Sequence, residues 1–127
     1  MSTKEIQDRL NALNIEDFIW IIYIGIIALS FYSNNNERKY FLFGNKEDKE
    51  KYRNIIIIIF SVLIIVYLYF LKDSWDSVNN LKPTDSQKTK NLVYLSFIAS
   101  LLISISGFIF LYIAFKDEDL NVELAFN

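Results

Sequence analysis

Hydrophobic and polar positions are sorted along this chain into blocks rather than interleaved. Three blocks, Phe18–Ser33, Asn54–Leu71 and Asn91–Phe115, contain no Asp, Glu, Lys or Arg. A helix needs about 20 such residues to cross about 30 Å of hydrocarbon. The first block is short, 16 residues or about 24 Å as a helix. The third, at 25 residues, can tilt or extend past the hydrocarbon. A soluble helix of this length carries a polar face, and none of the blocks has one. Ile55–Ile59 is a β-branched run, a strand signal in water. Its block is long and does not alternate, and an open strand in lipid leaves backbone groups unpaired. The pattern therefore predicts an all-α membrane protein with three transmembrane helices (up-down-up), over residues 15–33, 54–72 and 91–115.

The flanks add detail. Ser2 with Glu5 has capping-box spacing, and Ile6, Leu10 and Leu13 share one helical face. Residues 1–14 are thus expected to form a short amphipathic helix lying on the membrane surface. Asn14 is the expected N-cap of span 1, with Glu16 and Asp17 in its first turn. Ser33-Asn34-Asn35-Asn36 is expected to end that span, and Glu37–Arg53 to be a loop whose last residues, from Lys46, start helix 2. Helix 2 can run past Lys72, since Leu71, Trp75 and Val78 keep helical spacing. Asn79-Asn80 and Leu81-Lys82-Pro83 break it, and Thr84, Asp85 or Ser86 caps helix 3. Lys116 closes helix 3 before a short acidic, solvated tail, residues 116–127.

Composition sharpens this picture. Mean hydropathy is +0.23 although 22% of residues are charged, because all 13 basic and 15 acidic residues lie outside the blocks. A net charge of −2 gives no basic field for nucleic acid. The chain has no Cys and no His, the main ligands of transition metals and the commonest source of a general base. No phosphate loop, nucleophile elbow or metal-binding helix motif is present. Asp117-Glu118-Asp119 lacks the spacing and glycine of a calcium loop. We therefore expect no enzyme, no cofactor and no metal. The segment before span 1 lacks the positive charge of a secretory leader, so a cleaved signal peptide is not expected.

Basic residues set the expected orientation. Two precede span 1, Lys4 and Arg9, and six follow it in Glu37–Arg53. This places that segment and the C-terminus in the cytoplasm and the N-terminus outside. Trp20, Tyr32, Tyr40, Phe41 and Trp75 are expected as interfacial anchors. Aromatics among Lys and Arg can also bind single-stranded nucleic acid, but beside a span they belong at headgroup level.

Inside the spans the most patterned feature is a set of small residues. Ser96, Ser100 and Ser104 recur every fourth residue, and Gly107 and Ala114 continue the stripe. Small residues at this interval let helix backbones approach closely. The expected use is a packing seam against spans 1 and 2, with Gly25 and Ala28 of span 1 as its natural partner; an oligomer contact or a wet pore lining are the alternatives. Span 2, with only Ser61, is expected to face lipid more widely. No span holds an ionisable acid or base, which argues against an ion-coupled transporter or proton pump.

In chain length and span number the layout resembles the three-span class of phage holins. The resemblance is one of outline and implies an oligomeric lesion former, with no site residue carried over. Three functions follow as expectations. The first is a non-enzymatic membrane scaffold or accessory subunit, with the bilayer and another copy or another membrane subunit as partners. The second is a holin-like pore, and the third a subunit of a small transporter.

Overall fold

The computed structural model describes residues 2–124. These form three helices, α1 Thr3–Phe43, α2 Lys46–Asn79 and α3 Gln87–Lys116, with no strand among the described residues. All three are long and apolar enough to cross a membrane. The chain divides into two compact units, Met1–Tyr52 and Arg53–Asn127.

The first unit is α1 with the opening turns of α2. Ser2 caps α1: its Oγ accepts the Glu5 N–H at 3.2 Å, and Glu5 Oε2 accepts the Ser2 N–H at 3.4 Å. The capping box predicted from the sequence is therefore present. The two expected boundaries inside α1 are not. The helix runs unbroken through Asn14 and through Ser33-Asn34-Asn35-Asn36, so residues 1–14 are not a separate element. The physical reason is visible in the side chains. Ser30 Oγ donates to Ile26 O at 2.9 Å, Ser33 Oγ to Ser30 O at 3.0 Å and Asn36 Nδ2 to Tyr32 O at 3.0 Å. These groups satisfy themselves on the preceding turn instead of competing for the backbone.

α1 ends at Gly44, which adopts the left-handed conformation (φ 67°) and donates its N–H to Tyr40 O at 2.7 Å. Only glycine takes this conformation at no steric cost. Asn45 then caps α2, its Oδ1 accepting the Glu47 N–H at 3.0 Å. The loop expected over Glu37–Arg53 is thus reduced to Gly44-Asn45, and its basic residues stand on helical arms. Lys46 does start α2, as its sequence suggested.

The second unit is an antiparallel hairpin of α2 and α3. α2 continues past Lys72 to Asn79. The link that follows is held by Asp85, whose carboxylate accepts the Lys82 N–H at 2.7 Å. Of the three candidate caps, Ser86 is the one used, accepting the Thr89 N–H at 3.1 Å. α3 closes at Lys116. The tail beyond it is not simply solvated. The Asp117 carboxylate accepts the N–H groups of Asn121 and Val122 at 2.9 and 2.7 Å, and Leu124 is buried.

Burial along the spans corrects one expectation. The most apolar window of α2 is 33% buried, against 17% for α3 and 6% for α1. Ile56, Ile59, Phe60, Leu63, Ile64 and Val66 are all buried. A shortage of small residues on α2 was read as lipid exposure. Close approach needs a small residue on one helix and a large one on the other, and α2 supplies the large ones.

Candidate functional site

The best-defined intramolecular site is the seam between α2 and α3. It is built from four levels of contact, and as one helix ascends in number the other descends. At one end Trp75 meets Phe97, ring centroids 5.2 Å apart. In the middle Gly107 lies against Tyr67 and Ile64: a Cβ on Gly107 would stand 3.1 Å from Tyr67 Cδ2 and 3.2 Å from Ile64 Cγ1. Next, Phe60 and Phe110 stack at 5.5 Å with a 30° tilt. At the far end the Arg53 side chain reaches the C-terminus of α3.

Ser104, one helical turn before Gly107, shows how a hydroxyl is used here. Its Oγ donates to Ser100 O at 2.9 Å and lies 3.4 Å from Tyr67 O across the seam. Ser106 Oγ is spent on Leu102 O at 2.9 Å. Each of these hydroxyls spends its proton on its own helix and keeps only acceptor capacity.

Arg53 was read from the sequence only as one of six basic residues. In the structure its Nη2 donates to Phe115 O at 3.0 Å and approaches Ala114 O at 3.5 Å. The last carbonyls of a helix have no partner within it and carry the negative end of its dipole. A guanidinium satisfies both needs and ties the start of α2 to the end of α3. Arg53 Nε is buried with no hydrogen-bond partner among the described residues. The signal was present in the sequence: in an antiparallel hairpin, a basic residue just before span 2 lies at the level of the end of span 3.

The predicted seam residues divide. Ser104, Gly107 and Ala114 are buried, Ser100 is half-buried and Ser96 is exposed. Gly25 and Ala28, the expected partners, are exposed, and a Cβ on Gly25 would meet no heavy atom within 4 Å. Beside Gly107 the seam opens into a groove of about 430 Å³, lined by Phe60, Tyr67, Ile103, Ser106, Gly107 and Phe110. Its walls are chiefly carbon, so its chemistry suits an apolar occupant such as an acyl chain.

The expected anchors also separate. Trp20 is exposed and edge-on to Tyr23 at 5.5 Å. Tyr32 is exposed near the end of the first apolar block. Trp75 stands four residues past Leu71, about 6 Å along the helix, at headgroup depth if Leu71 marks the hydrocarbon edge. Tyr40 and Phe41 are seven and eight residues past Ser33, so the continuous helix carries them about 10–12 Å beyond it. There Tyr40 takes the Lys49 ammonium over its ring at 5.5 Å, while Phe41 is exposed. Among the described residues no group of three or more His, Cys, Asp or Glu is placed to hold a metal ion. No protein-family model, curated protein or solved structure matches the chain.

Proposed function

We propose that this chain is a multi-pass integral membrane protein that serves as a scaffold or accessory subunit, without catalytic chemistry of its own. The observation that carries the reading is the combination of three membrane-length helices with apolar blocks free of ionisable acid or base. Transport or proton transfer within a bilayer ordinarily runs through such groups, so a partner would have to supply them. In this reading the helical corner at Gly44-Asn45, with its flanking Lys and Arg, faces the cytoplasm, and the N-terminus lies outside.

A holin-like pore is the competing reading. Ser104, at the centre of the serine stripe, counts against it, because it is buried in the α2–α3 seam with its proton donated to Ser100 O. Purification from mild detergent with mass analysis of co-purifying components tests the subunit reading. A defined membrane partner in fixed ratio is expected; recovery of this chain alone contradicts it. Induced expression in a bacterium should leave the cells impermeable to a dye, and dye entry would favour the pore.

A further inference from the structure

The groove beside Gly107 extends from Phe60 to Tyr67 on α2 and from Ile103 to Phe110 on α3. Seven residues on either helix make it about 10 Å long. A volume of about 430 Å³ over that length leaves a channel about 6–7 Å across, whereas a helix with its side chains measures about 10–12 Å. A helix therefore cannot enter it, while an unbranched hydrocarbon chain can. Phe60 and Gly107 in the groove are buried, but Ile103 and Ser106 are exposed, so the groove is open at its rim.

One end of the groove is marked by charge. Arg53, Phe60 and Tyr67 are spaced by seven on α2, so they share a helix face. Arg53 immediately precedes the charge-free block. If that block crosses the bilayer, Arg53 stands at the hydrocarbon edge, with Phe60 about 10 Å and Tyr67 about 21 Å along the helix from it. The middle of a hydrocarbon core about 30 Å thick falls between them. A lipid of the Arg53 leaflet then has its phosphate at the height of Arg53 and the end of its chain at the height of the groove. Arg53 uses Nη2 on the carbonyls of Ala114 and Phe115 and keeps the donors of Nη1. A guanidinium is the side chain best matched to phosphate oxygens. Asp117 has both carboxylate oxygens on the N–H groups of Asn121 and Val122. Glu118 and Asp119 follow it, and their charge opposes a headgroup of net negative charge.

We infer that the groove holds one acyl chain of a zwitterionic phospholipid whose phosphate is bound by Arg53. The inference rests on the membrane-spanning reading proposed above and names a ligand for the α2–α3 seam. One molecule meets two separate features, a cation at the membrane surface and a narrow carbon-walled channel below it on the same helix face.

Bromine on a lipid chain quenches an indole that it touches. The full chain carrying Trp20→Phe and Trp75→Phe loses both native indoles. In that background Phe110→Trp reports from the groove, and Phe108→Trp from an exposed position outside it at nearly the same depth. Ile103→Trp serves as the groove reporter if Phe110→Trp does not fold. In vesicles made wholly of phosphatidylcholine brominated near the chain ends, both reporters should be quenched. Quenching of neither overturns the spanning reading, and this inference with it. Quenching only outside the groove shows a protein side chain filling it and overturns the lipid alone. A small fraction of brominated phosphatidylcholine in phosphatidylglycerol vesicles should then quench the groove reporter about twofold or more above the outer one. Brominated diacylglycerol, which has the chains without the phosphate, should give no such excess, and Arg53→Gln should remove it. Equal quenching of the two reporters by phosphatidylcholine overturns the site. An excess that diacylglycerol reproduces, or that survives Arg53→Gln, overturns the phosphate contact. A groove excess for brominated phosphatidylglycerol in phosphatidylcholine vesicles overturns the zwitterionic headgroup.

Discussion

At Gly107 a hydrogen atom stands where any other residue would place carbon against α2. Leucine there must displace the Tyr67 ring and Ile64, from which even a Cβ would be 3.1–3.2 Å. Overpacking of this kind costs about 1–3 kcal/mol. Gly107→Leu should therefore lower the thermal midpoint in detergent clearly, whereas Ile58→Leu, at an exposed site, should change it by no more than about 0.5 kcal/mol equivalent. Equal midpoints would refute the seam. Arg53 makes a second residue-scale case. Its removal leaves the final carbonyls of α3 without a donor, and hydrogen bonds to a charged group contribute about 1.5–3 kcal/mol. Partial exposure of the side chain places Arg53→Ala toward the lower end. Lysine keeps the charge but not the two-pronged reach, so Arg53→Lys should restore only part of the loss. Full stability of Arg53→Ala in detergent would show that the contact contributes nothing.

At the scale of elements the decisive feature is the continuity of α1. Proline at an interior helix position removes a hydrogen bond and clashes with the preceding turn, at about 3 kcal/mol or more. Asn35→Pro should thus reduce both helicity by circular dichroism and thermal stability. Were the Asn run a true helix end, the substitution would be nearly silent. This is also where the sequence was least legible. The three apolar blocks, the Ser2 capping box and the stop at Asn79-Asn80 could be read from residue type and spacing, and the cap of α3 could be narrowed to Thr84, Asp85 or Ser86. The interior of α1 could not. Asn and Ser favour caps and turns because their side chains compete with the backbone, and whether they do so is settled by geometry. Here Ser33 and Asn36 bond backward along the helix, and the chain continues to Gly44. Span 2 was misjudged for a related reason. Small residues reveal which helix can be approached, and say nothing of the bulky side chains that do the approaching. Ser104 and Gly107 were therefore legible as a seam, while Ile64 and Tyr67 were not legible as its other half.

For the whole molecule, the distribution of charge and the lengths of the helices make one account. On the membrane-spanning reading each apolar block crosses the bilayer, with Gly44-Asn45 linking the first two crossings and Pro83 in the link between the second and third. The most apolar stretch of α1 is 6% buried within the chain, as the membrane-spanning reading expects of a helix facing lipid. The most direct test is side-specific labelling of single cysteines in sealed vesicles of known orientation, using a maleimide that cannot cross the bilayer. Asn45→Cys and Asn121→Cys should react from one side only, and Lys4→Cys and Thr84→Cys from the other only. Labelling of all four from the same face would contradict three crossings.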